Sequence, residues 1–370
     1  MNALAAKLNY DPDHAAPPGQ LIQEYLEALD ISARELARRC GRSGKLMAEI
    51  VSGKAPVEPE TALQLERVLG LPATVWINME AAYQLNAARE AEKKDLAVSY
   101  EWAKSFPMKE LAERSFISWH QDRALQVQDL LTFFGVGSVK ACEKRIQDLL
   151  AADYRTSPTF SNSIEALAAW LRIGEREALE CDAAEYNRDH FLLVLKEIRH
   201  LTTDALDKTL PTIKQKCAEA GVVFVLEQPL SKVRVSGISR WLSPRKALIQ
   251  QTFRYKSDDH FWFTFFHECA HLLLHSRKSI FIDMTKGPGS ADPKQEAEAN
   301  VWASEFLIPH KDMKRFLGGF KGDEAAVVQF AADCGVAPGV VVGQLQHRKV
   351  IGFNALNHLK GRYEFSSDDA

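Results

Sequence analysis

His267-Glu268-Cys269-Ala270-His271 is followed 25 residues later by Glu296-Ala297-Glu298-Ala299-Asn300. On a helix, residues four apart share a face, so His267 and His271 can point at one ion. Imidazole nitrogens suit zinc, and three protein ligands leave a position open for water. Glu268, beside the first histidine, is placed to act as a base on that water. The third ligand must come from elsewhere in the chain. On a helix spanning Pro293–Leu307, Glu296 and Glu298 lie about 200° apart, so only one can face the metal. Glu296 shares an inward row with Asn300, Ala303 and Leu307 and is the favoured ligand; Glu298, on the more solvated row with Trp302 and Glu305, is the alternative. Asn300 could hold a ligand imidazole by a hydrogen bond.

A bare HExxH arises by chance, as a buried histidine pair on an amphipathic helix. Here an apolar run, Phe261 to Phe266, precedes the motif and Leu272-Leu273-Leu274-His275 follows it, which marks a helix packed deep on both sides. The runs HFWFTFFHECAHLLLH and EAEANVWASEFLIP resemble the ImmA/IrrE family of zinc metallopeptidase-like domains over roughly residues 205–310. The resemblance implies zinc held by His267, His271 and Glu296, and Glu268 as catalytic base. Trp302 and Ile308 depart from the usual Phe and Met without removing a chemical group. Domains of this family are often paired with an Xre-type repressor, so the implied substrate is a protein.

Outward from the motif, Gly221–Leu226, Val233–Trp241 and Ala247–Gln251 read as strands preceding the motif helix, which gives a zincin-like α+β domain over residues 206–363. A strand edge beside the metal could hold an extended peptide. Tyr255 and His275 are candidates for oxyanion or substrate contact. Asp258 or Asp259 is expected to cap the motif helix, and Lys286–Ser290 to form a loop between the two ligand helices. Helices at Glu324–Cys334 and Val340–His347 form a cap, and residues 364–370 a tail.

At the other end, Pro18 opens an apolar-faced helix, Ser32 caps a second (Ala33–Cys40), Gly41 supplies a tight turn, and a third helix runs from Ser43 to Val51. Short helix, turn, short helix is helix-turn-helix organisation. Between Arg34 and Lys54 there are six basic and two acidic residues, a local +4, of the sign that phosphates require. Arg34, Arg38, Arg42, Ser43, Lys45 and Lys54 are the DNA-binding candidates, although the third helix lacks Arg, Asn and Gln at its groove-facing positions. The stretch PGQLIQEYLEALDISARELARRCGRSGKLMAEIVSGKAPVEPETALQLERVLGLPATVWINMEAAYQL resembles HigA-like antitoxins of the Xre/Cro class. Such modules read paired half-sites, which implies operator DNA as partner and a homodimer.

The expected fold is thus mainly α with a small β-sheet: a flexible lead-in (1–16), a helix-turn-helix bundle (17–90), a helical connector (91–205) with Trp102, Trp119 and Trp170 in its core, and the zinc domain. The chain of 370 residues has net charge −3, so a DNA-binding surface must be local rather than global. Six scattered cysteines without a CxxC read as cytoplasmic thiols, and no apolar run approaches a membrane span. The functional expectation is a DNA-binding regulator with a zinc peptidase-like domain acting on a partner repressor, a cognate toxin or itself. The alternative is a non-catalytic antitoxin or transcription factor that uses the zinc fold for sensing or toxin binding.

Overall fold

The computed structural model describes residues 16–151, 164–253, 256–276, 281–284 and 293–363. Tyr255, the Lys286–Ser290 loop, the tail and nearly all of the lead-in lie outside them. The chain divides into two compact units, Met1–Val98 with Arg123–Leu125, and Ser99–Asp122 with Gln126–Ala370.

The first unit contains α1 (Pro18–Ala28), α2 (Ala33–Arg39), α3 (Gly44–Val51), α4 (Pro59–Leu69) and α5 (Ala73–Val98). Ser32 and Ser43 cap α2 and α3, each hydroxyl accepting from a backbone N–H three residues on (3.2 Å in both). Gly41, between them, has φ +65°, which glycine adopts without a Cβ penalty. Ile22, Leu36, Met47, Ile50, Leu65 and Trp76 close the core. The crossing of α1 and α3 is tight: a Cβ on Gly19 would lie 2.4 Å from the Ile50 carbonyl oxygen.

The second unit begins with α6 (Tyr100–Ala103), α7 (Met108–Glu113), α8 (Arg123–Phe134; its first three residues group with the first unit), α9 (Val139–Ala151), α10 (Ile164–Glu180), α11 (Arg188–His200) and α12 (Leu206–Glu219). Four strands follow, β1 (Val222–Leu226), β2 (Val235–Ser243), β3 (Lys246–Gln251) and β4 (Phe281–Met284), in sheet order β1-β3-β2-β4. β1 and β3 are parallel; β2 is antiparallel to both β3 and β4. The remaining helices are α13 (Asp258–Leu274), α14 (Pro293–Leu307), α15 (His310–Leu317), α16 (Glu324–Cys334) and α17 (Pro338–His347).

Strand alternation sends neighbouring residues into two cores. Phe224 and Ile249 join the large core around α13, whereas Val223, Val225 and Leu248 meet Ala178 of α10. Two adjacent glutamines show the same split: Gln250 donates to the Trp170 carbonyl (2.7 Å) and Gln251 to the Phe261 carbonyl (2.8 Å). Covering on both faces explains why β1 is buried at all five positions. The alanine-rich α10 is therefore a layer of the sheet domain. Gly174 fits so closely there that a Cβ would lie 2.2 Å from the Gln250 side chain.

Two expectations need correction. Trp119 is 57% exposed, whereas Trp170 is fully buried; Trp119 sits outside any helix and lines a surface cavity of about 740 Å³. The N-cap of α13 is Ser257, without a side-chain capping bond. Asp258 and Asp259 instead occupy the first turn, where the Asp258 carboxylate accepts from the Asp259 N–H (2.7 Å) and burial pushes Asp258 up to about 6. No single helix among the described residues is long and apolar enough to cross a membrane. The six cysteines form no disulfide.

Candidate functional site

The site stands on α13, which is apolar on nearly every side and hence buried on nearly every side. Phe261, Trp262, Phe265, Phe266, Leu272 and Leu273 fill the core around it, and Phe224 meets Phe265 edge to face at 5.1 Å. Cys269 is part of this packing. It is fully buried, and burial pushes its thiol well above the ordinary range. The start of α13 is clamped by the chain's C-terminal region. Asp258 N–H donates to the Gly361 carbonyl (2.9 Å), and Lys360 donates to Asp259 (2.7 Å).

One turn apart on α13, His267 and His271 bring their Nε2 atoms to 2.9 Å. Glu296, on the facing α14, places one carboxylate oxygen 3.3 Å from His267 Nε2 and the other 3.4 Å from His271 Nε2. Among the described residues, these three form the group whose donor atoms all fall within 4.8 Å of one another. A tetrahedral ion with bonds of about 2.0–2.1 Å separates its ligand atoms by about 3.3–3.4 Å. Two of the three separations match that of a shared ion, and the two Nε2 atoms, at 2.9 Å, stand somewhat closer. Protonation fits as well. Burial pushes His271 down to about 4, and its bond to Glu296 only partly opposes that. Burial alone would raise Glu296, but the two imidazoles beside it prevail and hold it at about 2. A neutral imidazole and an ionised carboxylate are the forms that bind a divalent cation.

Glu268 is fully buried and lies beneath β2. At Gly237 the strand comes so near that a Cβ would sit 2.8 Å from Glu268 Oε1 and 2.8 Å from Thr264 Cγ2. This close approach was not read from the sequence, although a glycine within a strand is the signal that could have found it. β2 is paired on both sides, Gly237 facing Gln251 of β3 and Asp283 of β4. A peptide therefore cannot add to the strand over Glu268; the sheet's edge on that side is β4. The short β4 lies beyond the three strands expected from the sequence.

Two supporting roles also differ. Asn300 is exposed and, among the described residues, makes no hydrogen bond to either imidazole. It lines a cleft of about 500 Å³ with Phe263, Val301, Leu307, Val340 and Phe353. Phe263 also packs on the His267 ring, with centroids 6.1 Å apart. The group that meets a ligand imidazole is His275, whose Nδ1 lies 3.0 Å from His271 Nδ1. Glu298 does not join the three-donor group; its Oε2 lies 3.3 Å from His275 Nε2.

In the first unit, Arg38 is held by Glu35 at 2.9 Å. Arg42 is held by Gln64 (2.7 Å) and Glu60 (3.0 Å). Ser43 is a helix cap, and Lys45 has a loose contact with Glu49 at 3.9 Å. Arg34 and Lys54 are exposed. Arg42 is thus engaged within the fold, while Arg38, though paired with Glu35, stays 78% exposed, and Arg34, Lys45 and Lys54 are the cations least tied.

Residues 248–346, which contain every residue of the three-donor group, match the Peptidase_M78 family model, the IrrE N-terminal-like domain. The chain is 38% identical over 76 residues to an uncharacterized HTH-type transcriptional regulator, YddM, of Escherichia coli, covering 20% of this chain and 78% of that one. It is 35% identical over 85 residues to virulence-associated protein I of Dichelobacter nodosus, covering 23% and 78%. Among solved structures, an addiction module antidote of the HigA family from Coxiella burnetii is 27% identical, covering 22% of this chain and 91% of that one, with a TM-score of 0.22. Through its N-terminal part the chain belongs to the family of HTH-type regulators that includes YddM, and residues 248–346 of its C-terminal part are similar to the IrrE N-terminal-like domain.

Proposed function

We propose that this regulator is a zinc-dependent peptidase that cleaves a protein partner, and that its helix-turn-helix unit binds operator DNA as a homodimer in the cytoplasm. The convergence of His267, His271 and Glu296 beside a buried, non-ligand Glu268 is the observation that carries the catalytic reading. A purely structural zinc site closes its fourth position with a protein ligand and has no use for a base. When bound, zinc supplies a Lewis acid that acidifies water and polarises a carbonyl. Glu268 takes the proton from the attacking water and hands it to the leaving amine. His267, His271 and Glu296 fix where that exchange occurs, and the cleft beside Phe263 gives room for a substrate side chain.

The test uses intact masses. Full-length protein, zinc-loaded or stripped by chelator, is incubated with the products of neighbouring genes. A fragment formed only by the loaded protein is expected. Unchanged masses throughout, with zinc measurably bound, would overturn the catalytic reading.

The DNA reading has its own expected result. In binding to the region upstream of its gene, Arg34→Ala, Lys45→Ala and Lys54→Ala should each lower the slope of log K against log salt by about 0.9 for every phosphate left without its cation. Arg38→Ala should change it less, because Arg38 is already paired with Glu35. Fluorescence anisotropy at several salt concentrations checks both. Equal slopes for all four variants and the parent would place the DNA surface elsewhere.

A further inference from the structure

We propose that His275 and Glu298 are positioning residues that orient His271 as a metal ligand, through a chain of hydrogen bonds running from the metal group to the protein surface. The inference rests on the reading that His267, His271 and Glu296 hold a metal ion.

The argument is one of proton accounting. His271 Nε2 faces His267 Nε2 at 2.9 Å and Glu296 at 3.4 Å, so Nε2 is the nitrogen directed at the ion. A ligand nitrogen needs its lone pair, which puts the His271 proton on Nδ1. That Nδ1–H meets His275 Nδ1 at 3.0 Å. For this contact to be a hydrogen bond, His275 Nδ1 must accept, which puts the His275 proton on Nε2. Nε2 in turn lies 3.3 Å from Glu298 Oε2, an acceptor. With a neutral His275, this tautomer assignment gives each link one donor and one acceptor.

The backbone is built to deliver this contact. His275 is the C-cap of α13, with extended φ and ψ (−112°, 173°), and its N–H still donates to the His271 carbonyl (3.1 Å). Leaving the helix there turns the ring back onto His271, with ring centroids 5.1 Å apart. The His275 side chain is 3% exposed and that of Glu298 48%, so the chain begins inside the fold and ends in solvent. Glu298 lies two residues from Glu296, on another face of α14; Glu296 meets His271 directly, and Glu298 reaches it only through His275.

Holding a ligand imidazole in one tautomer and orientation raises its affinity for metal, and losing such a partner typically costs about 10–100-fold. The test is Co²⁺ binding to the purified full chain, followed by visible absorption against a competing chelator. His275→Leu keeps the bulk and removes the acceptor; it should weaken Co²⁺ binding by about 10–100-fold. His275→Asn sets an amide oxygen near the position of Nδ1 and should recover most of that loss. Glu298→Ala, at a half-exposed position with little to lose in packing, should weaken binding in the same direction by less. Metal-free melting temperatures of the Leu and Asn variants should agree. If the parent binds Co²⁺ and His275→Leu binds it equally well, the positioning role is overturned and the metal site stands. If Asn is as weak as Leu, the ring serves packing alone and the role is again overturned. If the parent takes up no Co²⁺, the metal reading falls, and this inference with it.

Discussion

Glu268→Gln is expected to lower the cleavage rate by about 10²–10⁴-fold while leaving zinc content unchanged. The amide has nearly the shape of the carboxylate, so it can occupy the same buried place against Thr264 and beneath Gly237. What it loses is the ability to take a proton. Glu268 is not one of the three converging donors, so the metal group keeps all its ligands. The separation of the two roles is the discriminating feature. Glu296→Gln, by contrast, alters a donor and should lower metal content together with activity. Single-turnover rates at saturating substrate, with zinc measured on the same samples, check the expectation. An unchanged rate in Glu268→Gln would mean that the base is another group. A parallel loss of rate and zinc would mean that Glu268 holds the site together rather than acting on protons.

The sequence carried the local part of this site and missed the part that depends on how elements meet. His267 and His271 share a face because four residues make about one helical turn, which needs no knowledge of the rest of the fold. Glu296 was reached from a second helix by the apolar row it shares with Ala303 and Leu307, both fully or almost fully buried. Asn300 was assigned by the same row. Periodicity states which face a residue is on, but not how far along a neighbouring helix it meets its partner. One turn beyond Glu296, Asn300 has already passed the imidazoles. His275 was undervalued for a related reason: it is past the metal along the helix axis, and only the break in the backbone at the C-cap brings its ring back. In the first unit the caps and the Gly41 turn were legible because they are chemistry within a few residues. The pairing of Arg42 with Glu60 and Gln64 was not, since it joins positions 18 and 22 residues apart. β4 escaped because four residues give too little alternation to read, and with it went the fact that β2 has no free edge.

That closed position of β2 gives the second large expected effect. Gly237→Ala should reduce cleavage by about 10²-fold, the loss associated with a misplacement of about 1 Å at a reacting group, with zinc binding intact. Backbone conformation is not the obstacle, because Gly237 is not among the residues of positive φ. Space is the obstacle. The new methyl group would lie 2.8 Å from Glu268 Oε1, 2.8 Å from Thr264 Cγ2 and 2.9 Å from Glu268 Cγ. β2 cannot recoil freely, since β3 and β4 hold it at Gln251 and Asp283. α13 cannot recoil either, being set in the main core by Phe265 and Phe266. The Glu268 side chain is what remains to move, and such a move should carry its carboxylate away from the place the proposed proton transfer needs. Overpacking of this kind also costs about 1–3 kcal/mol of stability, so a lower melting temperature should accompany the loss of rate. The two effects separate in a double-variant cycle. If Gly237→Ala acts through Glu268, adding it to Glu268→Gln should cost little further activity, because the base it displaces is already gone. Full additivity of the two losses would show that Gly237 matters for some other reason and would remove the strand from the account of how Glu268 is aimed.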